Sequence, residues 1–256
     1  MLTIASWNVN SIRTRYEQVQ KFFDEINPDV LMVQEIKCLE EEFPDFYKKK
    51  YNVFICGEKG KFGVATFVKK DLDAEKLEID DPILNQEARI IFVKIKELDL
   101  SIINVYTPNG NPIDNIDKFK FKINWVDSLI NLSKKFIENN SNCLIGGDFN
   151  VIDNKLDAKN FDEWKNDALG HFSVRTKFRE LLSKGYLNTI RLFKKPGQYS
   201  FWDYQQASWE RNNGILIDHI LISPKLTKKI ISFKIEEKFR GLNKPSDHVP
   251  IWIRLK

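Results

Sequence analysis

The apolar runs of this chain repeatedly stop at a carboxylate or a carboxamide. Leu2 to Trp7 runs into Asn8 and Asn10, and Asp29 to Ile36 carries Gln34 and Glu35, with Lys37 just beyond. Leu100 to Tyr106 leads into Thr107-Pro108-Asn109-Gly110, and Asn142 to Phe149 contains Asp148, with Asn150 behind it. Asp218 stands between Ile215-Leu216-Ile217 and Ile220-Leu221-Ile222, and Asp247-His248 precedes Val249-Pro250-Ile251-Trp252. A carboxylate in or beside an apolar run is costly unless it is paired or bound to a cation. If the fold brings Glu35, Asp148, Asp218 and Asp247 together, their mutual repulsion requires a cation or a shared proton.

Further strands are expected at Tyr51–Cys56, Gly63–Val68, Arg89–Ile95, Tyr199–Tyr204, Gly214–Ser223, Ile230–Glu236 and His248–Leu255. Val19, Phe22, Phe23 and Ile26 mark one face of a helix that Asn27-Pro28 ends, because the residue before proline is pushed out of the α region. A long helix is expected within Asp114–Asn139, on the spacing of Phe119, Ile123, Val126, Ile130 and Ile137, and a shorter one around Val174, Phe178 and Leu181. So many strands need two sheets with helices outside, an α/β architecture. No linker or low-complexity tract interrupts the 256 residues, so one domain over 1–256 is expected.

Composition narrows the function classes. No apolar run approaches the roughly 20 residues of a membrane span. The N-terminus lacks the basic flank and apolar core of a secretory signal, and three cysteines without a C-x-x-C argue against a disulfide framework or a zinc site. A reducing cytoplasm is the expected location. A net charge of +4 is compatible with a polyanionic partner without establishing one.

The residue types at the strand tips suit phosphate-ester chemistry. Asn, Tyr and His are donors for phosphate oxygens, and an oxygen-rich acid set without Cys/His clustering points to Mg²⁺ or Mn²⁺. Taken singly, each residue has a plainer reading. Asp148 could cap a turn, Gln34-Glu35 could be exposed polarity, and Ser246-Asp247-His248 could be a capped loop. Gly57 to Gly63 is rich in glycine but lacks Walker spacing and reads as a hairpin turn. The joint occurrence at successive strand ends outweighs these readings.

The ordered set WNVNSIR, QEIK, GVA, EARII, YTPNGNP, GGDFNV, FWDY, IDHILIS and PSDHVPIW resembles the exonuclease III branch of the endonuclease/exonuclease/phosphatase superfamily over essentially the whole chain. KFKFKINWVDSL and DEWKNDAL are similar to the bacterial members in particular. The resemblance implies a four-layer, deoxyribonuclease I-like α/β sandwich, two packed β-sheets flanked by helices. It implies a monomer that uses Mg²⁺, with Mn²⁺ as a substitute. Its expected partner is double-stranded DNA, especially abasic-site DNA. The activities implied are cutting 5′ to the abasic site, 3′→5′ exonuclease action and removal of 3′-blocking groups.

The resemblance also implies roles. Glu35 is the principal metal ligand, supported by Asn8, Asn10 and Asp247. Asp148 positions or deprotonates the attacking water, with Asn150 orienting water and phosphate. Tyr106 and His248 donate to the scissile phosphate, and Asp218 holds the imidazole. Arg13, Lys37 and Arg175 contact the DNA backbone, while Phe201 and Trp202 line a pocket for the flipped-out sugar. Two positions depart from the family pattern. Leu216 stands two residues before Asp218, where the family has Arg, and Ser11 stands where glycine is common. Two other readings remain: a phosphatase or phosphodiesterase acting on a small phosphate ester, and a non-catalytic DNA-binding module.

Overall fold

The structure is a computed structural model and describes residues 1–45, 48–193 and 197–256. Runs of β-branched and aliphatic residues form strands, and the central ones are buried on both faces, as strands in a covered sheet must be. In chain order the elements are β1 (Leu2–Asn8), α1 (Tyr16–Ile26), β2 (Val30–Gln34), β3 (Tyr51–Cys56), β4 (Val64–Lys69), β5 (Ala74–Leu77), β6 (Ile90–Ile95) and β7 (Leu100–Tyr106). They continue with α2 (Ile116–Glu138), β8 (Asn142–Asp148), α3 (Phe172–Ser183), β9 (Leu187–Asn188), α4 (Ile190–Phe193), β10 (Asp218–Ile222), β11 (Ile230–Ile235) and β12 (Ile251–Leu255). The first sheet has the order β11-β12-β1-β2-β4-β3, and the second β5-β6-β7-β8-β10-β9.

Three apolar layers make the sandwich. Ile4, Met32, Ile102, Leu144, Ile220 and Ile253 meet between the sheets. Trp7, Leu31, Val33 and Phe67 of the first sheet pack under Phe22 and Phe23 of α1. Ile103, Val105 and Ile145 of the second pack under Trp125, Val126 and Leu129 of α2 and under Val174 and Phe178 of α3. The α/β sandwich of two flanked sheets expected from the sequence is therefore the fold. Asn27 ends α1 in the left-handed conformation (φ 48°), its N–H closing on the Phe23 carbonyl at 2.9 Å.

Register places the polar tips together. β1 and β2 run parallel with Asn8 opposite Gln34, and β7 and β8 run parallel with Tyr106 opposite Asp148. β10 is antiparallel to β8 and starts with Asp218 opposite Asp148. Parallel neighbours thus end at the same edge, and β10 begins there. Gly147 permits the final turn of β8: at φ 151° it lies so close to β7 that a Cβ would meet the Val105 carbonyl oxygen at 1.9 Å.

Some strand expectations are corrected. Tyr199–Tyr204 forms no strand; Phe201 makes only isolated bridges to Ile215 and His248, and the chain turns outward from Asp203. The ladder of β10 starts only at Asp218, because Leu216 gives its N–H to the Asp157 carbonyl instead. β12 starts at Ile251, after Pro250, which has no N–H to donate. The short edges β5 and β9 carried too little apolar signal to be read.

One polar network crosses the inter-sheet core. Asn104 Nδ2 donates to the Ala65 carbonyl at 2.9 Å, and its Oδ1 accepts from Gln34 Nε2 at 2.7 Å. Gln34 also donates to Ser6 Oγ at 3.1 Å. Truncation would strand several buried polar groups, each worth about 1–3 kcal/mol. Asn104→Ala is therefore expected to destabilise the protein by about 2–4 kcal/mol, as measured by urea unfolding.

Candidate active site

The strand ends converge on a buried carboxylate. Asp148 is 1% exposed. Its Oδ1 accepts from the Asn150 backbone N–H at 2.8 Å, and its Oδ2 from Asn8 Nδ2 at 3.0 Å. The same Asn8 amide donates to Glu35 Oε1 at 3.0 Å, so it joins the two acids. The Tyr106 hydroxyl donates to Glu35 Oε1 at 2.8 Å. Lys37 Nζ lies 2.8 Å from Glu35 Oε2 and 2.6 Å from Asn10 Oδ1. Asn10 Nδ2 in turn donates to Asp247 Oδ1 at 3.1 Å.

On the other side of Asp148 stands His248. Its Nε2 is 3.7 Å from Asp148 Oδ2, and its Nδ1 is 2.8 Å from Asp218 Oδ2. Ser200 fixes Asp218 in turn, donating from Oγ at 2.6 Å. The Phe201 ring meets the imidazole edge-on, 4.9 Å between centroids. Burial works against the imidazolium, but Asp218 and Asp148 outweigh it and hold the His248 pKa up at about 10. Burial pushes the Asp148 carboxyl up to about 7, against the pull of His248. Burial also raises Glu35, but Lys37 and Asn8 outweigh it and leave this carboxyl below its ordinary value. Burial and the adjacent Glu35 keep the Tyr106 phenol protonated, hence a donor.

Backbone geometry at the site is unusual. Asn10, Ser11, Glu35, Lys37 and Asn150 all adopt positive φ, between 47° and 89°. Such conformations in non-glycine residues persist where the surroundings over-determine them, and they gather at functional sites. Ser11, at φ 89°, shows why glycine suits that position.

This arrangement has counterparts in known proteins. Residues 5–248 match the sequence profile of the endonuclease/exonuclease/phosphatase family. The chain belongs to that family. It is 31% identical to exodeoxyribonuclease III of Haemophilus influenzae, over 98% of each chain. It is 32% identical in sequence to an AP endonuclease from Archaeoglobus fulgidus, whose structure superposes with a TM-score of 0.92 over 100% of both chains. The 3′ phosphatase NExo from Neisseria, solved bound to a product DNA hairpin, is 28% identical with a TM-score of 0.90, again over 100% of both chains. The first two of these relatives are of the exonuclease III and AP endonuclease type, and the chain is a hydrolytic nuclease.

Asn8, Asn10, Glu35, Tyr106, Asp148, Asn150, Asp218, Asp247 and His248 all gather at this end of the two sheets, and one of the sequence expectations needs correction. Trp202 does not line a pocket: it is 1% exposed, edge-on to Trp209 at 4.9 Å, and its indole N–H is given to Asn212. Asn8 gives its amide N–H to both acids, and its Oδ1 accepts from the Asn10 backbone N–H at 3.1 Å. Arg13 sits at the rim, 3.5 Å from Glu42. Arg175 is half-buried; its Nη2 donates to the Asp153 carbonyl at 3.0 Å, and its guanidinium lies over the Phe161 ring. Leu216 is wholly buried between the sheets, and the neighbouring Asp157 takes its guanidinium from Arg191.

Residues missed in the sequence include Lys122 and Ser200. Lys122 is 0% exposed, and burial pulls its ammonium down to about 7 against the opposing effect of Asp148. Its spacing from Phe119, Ile123 and Val126 puts it on the apolar face of α2, which was the available signal.

The raised Asp148 and His248 pKa values mean that the folded protein holds protons the unfolded chain has lost. Stabilisation by the His248 imidazolium is complete below about pH 6.5 and is lost as pH rises toward 10. In EDTA, the wild-type melting temperature is therefore expected to fall between pH 6.5 and pH 9. His248→Gln should show a flatter dependence over that window, measured by calorimetry.

Proposed function

We propose that this protein is a Mg²⁺-dependent DNA repair phosphodiesterase that cuts 5′ to abasic sites in duplex DNA, with 3′→5′ exonuclease and 3′-end-cleaning activity. The observation that carries this reading is the continuous chain of contacts Tyr106–Glu35–Asn8–Asp148–His248–Asp218 along one end of the two sheets. It sets an acceptor for a proton beside a fixed cationic donor.

In this scheme Asp148 takes the proton of the attacking water, and its raised pKa suits a base working near neutrality. Asn150, anchored through Nδ2 to the Thr107 carbonyl at 2.8 Å, orients water and phosphate. His248, charged and held by Asp218, donates to a phosphoryl oxygen, and the Tyr106 hydroxyl donates to another. Pre-positioned donors of this kind lower the barrier by stabilising charge that develops in the transition state.

The donor set fits a hard divalent cation. Glu35 Oε2 and Asn10 Oδ1 already hold a cation, the Lys37 ammonium, and Asp247 lies one hydrogen bond away through Asn10. The metal would supply Lewis-acid stabilisation of the phosphate. Lys37 and Arg13, on the same rim, suit backbone phosphates. Phe201 stands over an apolar floor with Ile215 and Ile217, a surface suited to a sugar that lacks its base. Arg175 acts by tethering the loop at Asp153.

A labelled duplex with one abasic-site analogue tests the reading. With Mg²⁺ a single nick immediately 5′ to the site is expected, and EDTA should abolish it. Glu35→Ala and His248→Ala should each lower kcat/KM by about 10²- to 10³-fold or more with the fold intact by circular dichroism. An uncut duplex together with hydrolysis of a small phosphate ester would favour the alternative substrate. Binding without cutting would favour a non-catalytic role.

A further inference from the structure

Behind the catalytic strand ends lies a cation to which the chemistry above gives no part. Lys122 projects from the first half of α2 into the site end of the second sheet and is 0% exposed. Its Nζ donates to the Asn109 carbonyl at 2.9 Å and to the Asn150 carbonyl at 2.7 Å. These carbonyls belong to separate loops, one following β7 and the other β8. The two loops also touch directly, Asn109 Nδ2 lying 3.4 Å from Asn150 Oδ1. The Thr107 N–H donates to the Asp148 carbonyl at 2.9 Å. Gly110 adopts φ 82°, and a Cβ there would meet Lys122 Cδ at 2.6 Å, so the loop after β7 lies against the lysine stem.

We propose that Lys122 is a positioning residue, whose buried ammonium ties the Asn109 loop to the Asn150 loop and so sets Asn150 and Asp148 in line with the phosphate held by Tyr106. The inference rests on the nuclease reading for its effect on rate, but not for the clamp itself. Three features distinguish a clamp from a filler of the core. The charge is retained at a position where helix periodicity asks for an apolar residue. Both acceptors of its Nζ are main-chain carbonyls, so the lysine fixes backbone rather than side chains. One of these carbonyls belongs to Asn150, whose own N–H donates to Asp148 Oδ1. A small shift of the Asn150 backbone would therefore disturb both the Asp148 carboxylate and the Asn150 side chain beside it. A buried amino group hydrogen-bonded to two carbonyls resists such a shift better than packing alone.

Lys122→Met keeps the length and apolar stem and removes the donors. Leu129→Ala, on the same helix but packed on the sheet, serves as the control for loss of stability alone. Both variants are expected to melt earlier than wild type. Only Lys122→Met should lower kcat for abasic-duplex nicking, by at least tenfold, with KM within threefold of wild type. Amide hydrogen exchange provides a readout that needs no substrate. Exchange at Thr107 and Asn150 should quicken at least tenfold in Lys122→Met and stay unchanged in Leu129→Ala.

Unchanged exchange at Thr107 and Asn150 in a folded Lys122→Met would overturn the clamp, whatever the nicking assay shows. Equal kcat loss in the control at a matched melting temperature would also overturn it. If wild type fails to nick, the functional reading falls while exchange still decides the clamp. Should Lys122→Met not fold, Lys122→Gln replaces it. The glutamine amide is about one atom shorter and cannot reach both carbonyls. At least threefold loss of kcat with faster Asn150 exchange is then expected, and wild-type values for both would sink the proposal.

Discussion

The rest of this structure depends on keeping a carboxylate, Asp148, almost entirely out of water. An isolated ionised acid in such a place would neutralise itself, because desolvation far outweighs what an apolar interior returns. The surroundings are therefore organised around it. Asn8 and the Asn150 N–H hydrogen-bond its oxygens, and the His248 imidazolium provides charge. His248 in turn needs Asp218, and Asp218 needs Ser200. Asn8 comes from the end of β1 and Asp218 from the start of β10, so the compensation works only if the parallel strands end, and the antiparallel one begins, at the same edge. Topology and chemistry are thus a single constraint.

That coupling explains why much of the site was legible before any fold was known. Polar residues at the ends of apolar runs are conspicuous, because the runs themselves are read from hydrophobicity. Glu35, Tyr106, Asp148, Asp218 and His248 all carry that mark. The helices on the outer faces were equally legible, since α1 buries Val19, Phe22 and Phe23 at the spacing their sequence shows.

What was not legible has a common cause. Local pattern does not say what a side chain meets across the fold. Trp202 follows Phe201 directly, yet one ring faces the imidazole and the other fills the core under α1, because neighbouring residues in extended backbone point to opposite sides. Lys122 was not singled out, and only the loops above it reveal the two carbonyls that it serves. Tyr199–Tyr204 has the composition of a strand but lies where its neighbours offer only single bridges. Leu216 stands where the family has Arg. In place it is a core side chain, and Arg191 serves the nearby aspartate from another element.

The outer margins of the two sheets have a consequence for behaviour in concentrated solution. Unpaired edge strands invite other chains to add to them, and aggregation begins at such templates. β5 is four residues long and carries Glu75 and Lys76, and β9 has two residues. β11 is broken by a register shift between Ile230 and Ser232, which twists that edge away. β3 is different: all six of its residues pair in unbroken register with β4, from Tyr51 to Cys56. Among the described residues, self-association by strand addition would therefore begin at β3, where one guard stands in the way: the Lys76 ammonium donates to the Ile55 carbonyl at 3.0 Å and sets a charge against the edge.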